Sequence, residues 1–90
     1  MCSYITETSE LTGSAKSADG WTKLSRAVVY VDHPYFTPLE HTLNVDLITE
    51  SGGTRKRLAL ELSLDSAEDL VARMQSALRT ARLMNLVPSG

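Results

Sequence analysis

Residues 41–63 read "HTLNVDLITESGGTRKRLALELS", and the alternation in this stretch decides the fold. Leu43, Val45 and Leu47 fall on one side of an extended chain and Thr42, Asn44 and Asp46 on the other, because successive side chains of a strand point to opposite faces. After Ser51, Gly52, Gly53 and Thr54 the pattern repeats, with Leu58, Leu60 and Leu62 set against Arg57, Ala59 and Glu61. A glycine pair between two alternating runs signals a hairpin, since glycine enters the tight turn without a Cβ penalty. The register follows. With Glu50 opposite Arg55, Leu47 faces Leu58, Val45 faces Leu60 and Leu43 faces Leu62, whereas a one-residue slip would turn one set of leucines to the wrong face. The other face then carries Asn44 opposite Glu61, with Asp46 on the diagonal.

Beyond this hairpin the spacing changes to that of a helix, expected at about 66–84. Asp65 reads as its cap with Glu68 completing a capping box, and acidic residues suit the positive end of the helix dipole. Leu70, Met74, Ala77, Leu78 and Ala81 form one stripe, with Arg73, Arg79 and Arg82 on the polar side. Such a helix is expected as an amphipathic lid over the leucine face. The tail 88–90 is expected to fray.

Upstream, residues 2–11 are rich in Thr, Ile and Tyr without a helical stripe and read as a strand. "TGSAKSADG" has the composition of a flexible turn. A second extended run, about 21–32, places Val28 and Tyr30 on one side and Ala27, Val29 and Val31 on the other, so both of its faces ask to be buried. Pro34 and Pro38 make "HPYFTPL" a loop. Strands at about 2–11, 21–32, 41–49 and 56–63 followed by one helix give an α+β domain over residues 1–90, a four-stranded antiparallel sheet with the helix packed on one face (ββββα).

Ninety residues with 42% hydrophobic content suffice for one domain with a small core. Cys2 has no cysteine partner in the chain, so self-association, giving a homo-oligomer and most simply a homodimer, is the expected remedy rather than a disulfide. No apolar run approaches a membrane span and no secretory signal is visible, which points to the cytoplasm. Nine Lys and Arg against eleven Asp and Glu leave no basic excess for nucleic acid, and the run Arg55 to Arg57 is a short hairpin arm.

The chemistry-bearing residues gather around the proline loop. If the flanking strands pair, Asp32 and His33 at one strand end meet Glu40 and His41 at the start of the next. Two imidazoles beside carboxylates form a general acid–base pair, with Asp32, His33, Glu40 and His41 as the catalytic candidates. His33, His41 and Glu40 are also a ligand set suited to a divalent metal. Asn44, Asp46 and Glu61 extend the polar surface towards a small-molecule ligand, to which Tyr4, Trp21 and Cys2 are further candidates. Cys2 would expose both an amine and a thiol if Met1 were trimmed. Each has a plain structural alternative: His41 as a rim residue of the leucine core, His33 as a turn residue, Asn44, Asp46 and Glu61 as solvated sheet positions, and Trp21 as core or interface.

The segments "MCSYITE", "GSAKSADGW" and "DHPYFTPLEHTLNVD" fit the patterns MC-x-Y-x-TE, GSxK-x-x-x-GW and DHP…EHTLN-x-D. In these the chain resembles a family of small, functionally uncharacterised bacterial proteins, a domain of unknown function. The likeness falls on Cys2, Tyr4, Lys16, Trp21, Asp32, His33, Glu40, His41, Asn44 and Asp46, and departs from the pattern at Leu47, where the family implies an aromatic. It carries no substrate. Two readings therefore stand side by side: a small-molecule-binding protein or enzyme of bacterial metabolism using the His/carboxylate cluster, with or without a metal, and a non-catalytic module that associates with itself or docks a partner.

Overall fold

The computed structural model describes residues 5–86. Its elements are β1 (Thr6–Ser17), β2 (Gly20–Asp32), β3 (Thr42–Ser51), β4 (Thr54–Leu62) and α1 (Leu64–Leu83). The strands form one antiparallel meander in the order β1-β2-β3-β4, so the fold is ββββα.

The β3–β4 register is the one the alternation dictates. Leu43 pairs with Leu62, Val45 with Leu60, Leu47 with Leu58, Asn44 with Glu61 and Glu50 with Arg55. The hairpin turns on Gly52 and Gly53, whose φ values of 54° and 82° are the left-handed pair that a two-residue loop requires.

β1 differs from the sequence expectation of a strand ending near residue 11 and a turn to residue 20. It continues through "TGSAKS" to Ser17, leaving only Ala18 and Asp19 between the strands. Gly13 does not end the strand; the register slips between Glu10 and Gly13, a bulge that absorbs the extra residue. Residues 2–4 of the expected first strand lie outside the described residues, as does the tail 88–90.

Pairing with β2 aligns Val31 with Leu43, Val29 with Val45 and Ala27 with Leu47, which makes an apolar sheet face out of three strands. The opposite face carries Tyr30 beside Asn44 and Asp32 beside Thr42. Burial runs against the usual sorting. Asp32, Thr42, Asn44 and Asp46 are buried, while on β2 only Ala27 and Asp32 reach that state, so the expected double burial of this strand is not met within one chain.

α1 begins two residues earlier than its sequence signal. Ser63, not Asp65, is the cap: its hydroxyl accepts from Ser66 N at 3.1 Å, which satisfies an orphan amide of the first turn. The helix meets the sheet at β3, where Leu64, Ala67 and Val71 lie beside Leu43 around a recess of about 510 Å³. Ala67 is its one buried residue, and Leu70, Met74 and Leu78 are exposed. The lid thus reaches the leucine face only with its first turns. An extended shape results: the radius of gyration is 15.1 Å, against about 12 Å for a compact chain of this length. Among the described residues no helix is long and apolar enough to cross a membrane.

Candidate functional site

Because Asp32 pairs with Thr42, the residues just beyond them, His33 and His41, face each other at one end of the sheet. Their ring centroids are 4.8 Å apart with planes tilted by 30°. His33 Nδ1 donates to the Glu40 carbonyl oxygen at 2.9 Å. A carbonyl oxygen can only accept, so Nδ1 carries a proton. Asp32 Oδ1 accepts from the His33 backbone N–H at 2.7 Å. The four catalytic candidates do converge, as the proline loop requires. Their roles in the geometry are unequal, however: Glu40 enters through its backbone carbonyl, and Asp32 is occupied by an amide.

The loop is tied down from the far side of the sheet. Glu61 on β4 accepts from the backbone N–H groups of Tyr35, of Phe36 at 3.1 Å and of Thr37 at 3.0 Å. Three amides aimed at one carboxylate favour its charged form. Thr37 and Tyr35 contribute most, Phe36 adds to them, and together they outweigh desolvation, lowering the Glu61 pKa from the ordinary 4.5 to about 2. The clamp holds the backbone of the loop while Tyr35 and Phe36 project into solvent.

Below the loop the polar face is closed by its own hydrogen bonds. Thr42 Oγ1 donates to Asn44 Oδ1 at 2.6 Å. Asp46 takes the Tyr30 hydroxyl at 3.3 Å and an Arg57 Nη1 at 3.3 Å. Asn44, Asp46 and Glu61 therefore each have an internal partner. Sequence reasoning passed over Thr42, Tyr30 and Arg57 in this network. The β2–β3 pairing that sets Thr42 against Asp32 was the available signal for the first of them.

Among the described residues no three or more His, Cys, Asp and Glu are grouped so that they could hold a metal ion. His33, His41 and Glu40 are therefore not such a group, and the contact of Glu40 with the His33 ring is made by its backbone carbonyl. Trp21 lies at the other end of the sheet, its ring 6.0 Å from Lys16 Nζ, in a concavity of about 470 Å³ between the two hairpin turns. It is thus remote from the histidines. Lys56, which also lines that concavity, pairs with Asp19 at 3.0 Å. Cys2 and Tyr4 lie outside the described residues.

Comparison of the chain with curated proteins and with solved structures gives no match. A family model, described as "Family of unknown function (DUF6295)", matches residues 1–86 and so covers nearly all of the sequence, including both hairpins, the proline loop and the helix. The small-protein likeness carried by the N-terminal and proline-loop segments thus has its counterpart in a defined family: the chain belongs to the family of unknown function DUF6295.

Proposed function

We propose that this protein is a non-catalytic docking module whose apolar sheet face and helix stripe are completed by another polypeptide. One observation carries the reading: burial is inverted. Asp32 and Thr42 are 4% and 0% exposed, whereas Leu58, Leu70, Met74 and Leu78 are 59%, 48%, 57% and 54% exposed. A contiguous apolar surface formed by one sheet face and one helix stripe marks an interaction site, because the hydrophobic effect rewards its removal from water. The polar candidates support the same reading, being satisfied internally rather than left for a ligand. A reducing cytoplasmic setting suits a module with a single cysteine.

The test combines mass with binding of the apolar dye ANS. Either the mass exceeds 9.9 kDa because the trough, the apolar sheet face along Leu43, Val45 and Leu47, is occupied, or the trough is open and binds the dye in a way that Leu47→Glu abolishes. A chain of 9.9 kDa that leaves the dye dark contradicts the proposal.

A second reading, a small-molecule-binding protein or enzyme, draws on the His33–His41 pair, whose rings share one mouth 4.8 Å apart. Its test is a zinc titration followed by imidazole NMR signals. Shifts confined to both rings and lost in His33→Ala favour it, and unmoved signals argue against it.

A further inference from the structure

We infer that the polypeptide completing the apolar face is a second copy of this chain, and that the two copies exchange their α1 helices, each laid along the other's trough. The inference rests on the docking reading and adds the occupant.

The first argument is the connection between β4 and α1. Ser63 alone separates Leu62 from Leu64, and it is already committed as the helix cap. Strand–helix connections in packed α/β units commonly use about two to six residues. One residue sends the helix off the end of the strand instead of turning it back over the sheet. Its first turns, through Leu64, Ala67 and Val71, reach Leu43; the rest of the same stripe, Leu70, Met74, Leu78 and Ala81, continues past the sheet.

The second argument is area. The chain exposes 7154 Å², whereas a folded monomer of this mass exposes about 5,200 Å². The surplus is about 2,000 Å² per chain, or about 4,000 Å² for a pair, within the range of obligate homodimers. The half-exposed leucines and methionine of the helix stripe, with Leu58 on the sheet, are part of that surplus.

The third argument is fit. From Leu70 to Ala81 the stripe is about 16 Å long at the rise of an α-helix. The β3 row from Leu43 through Val45 and Leu47 to Thr49 is about 20 Å long at the rise of a strand. One supplies an apolar ridge and the other an apolar floor flanked by Val29 and Leu60. Reciprocal exchange makes the contact isologous, so two copies satisfy each other and the assembly closes.

The experiment uses the full chain. Light scattering on the wild type should give about 20 kDa, two copies of the chain. Met74→Glu, which changes a residue exposed in the single chain, should return the mass to 9.9 kDa with the circular dichroism of the sheet kept. A variant with Val45→Cys and Met74→Cys in a Cys2→Ser background, oxidised with diamide, should run as a covalent dimer on a non-reducing gel. A monomer band without free thiols, or a variant that is dimeric by light scattering yet forms no cross-link, overturns the exchange. A wild type of 9.9 kDa that binds ANS in a Leu47-dependent way overturns the second copy while the docking reading stands. A wild type of 9.9 kDa that stays dark overturns both.

Discussion

The two faces of the sheet differ in how far one chain can complete them. On the polar face every prominent side chain finds a partner inside the molecule: Glu61 holds three loop amides, Asp46 holds Tyr30 and Arg57, and Thr42 holds Asn44. On the apolar face a helix of matching amphipathicity is attached, yet it touches the sheet only near Leu43. Polar groups are satisfied by a few directional bonds, which a hairpin and a nine-residue loop can supply locally. Apolar surface is satisfied only by area, and a chain of 90 residues with a one-residue strand–helix connection lacks it.

The largest expected effect lies on the incomplete face. Leu70→Ala and Leu78→Ala remove side chains that are half exposed in the single chain, so in an isolated monomer each should cost less than about 1 kcal/mol. In the exchanged dimer the same changes open cavities and should cost about 2 to 4 kcal/mol each. Chemical denaturation of the two variants at high protein concentration separates these outcomes.

Next in size is the polar network. Asp46→Ala leaves the part-buried Tyr30 hydroxyl without its acceptor, while the exposed Arg57 guanidinium turns to water, and should cost about 1 to 2 kcal/mol whatever the oligomeric state. The two faces differ in concentration dependence: loss at Asp46 is the same in dilute and concentrated protein, loss at Leu78 is not.

The loop clamp should act locally. The Glu61 pKa is depressed in the folded state, so its contribution is fully present above pH 4.5 and is lost as pH falls towards 2. The protection factors of the Tyr35, Phe36 and Thr37 amides, their exchange measured against the intrinsic rate at each pH, should fall across that window while those of the β3 amides stay high. Glu61→Gln, which has no charge to lose, should exchange faster at neutral pH and show no acid step. Protection factors that stay flat with pH in the wild type would mean the carboxylate does not hold the loop.

Smallest is Tyr35→Ser. The residue is 99% exposed and held only by its backbone, so thermal melting should move by less than about 0.5 kcal/mol in equivalent stability. A larger loss would place Tyr35 in the dimer contact.

What was legible in the sequence follows the same division. The β3–β4 register was readable residue by residue, since Gly52 and Gly53 fix the turn and the leucines fix the phase. The meeting of His33 with His41 was readable from the proline loop and the strand ends that flank it. β1 beyond Leu11 was not, because Ser, Ala, Lys and Gly have the composition of a turn and owe their extended form to pairing with β2. Ser63 was passed over as the cap because Asp65 and Glu68 offered a second capping pattern two residues later. Glu61 read as a ligand-binding candidate or a solvated sheet position, and its part as a loop clamp was not legible; its partners lie more than twenty positions away in a loop whose path the sequence does not encode locally. The helix stripe was visible, but amphipathicity states that a face is buried and not which surface buries it.

The central claim, that one chain leaves its apolar face for another copy to cover, is tested most directly by the protein-concentration dependence of unfolding. Because association binds the folded chain and not the unfolded one, the denaturant midpoint of a dimer rises steadily with protein concentration. A midpoint that stays fixed from micromolar to submillimolar protein, in a cooperative transition, would contradict the account.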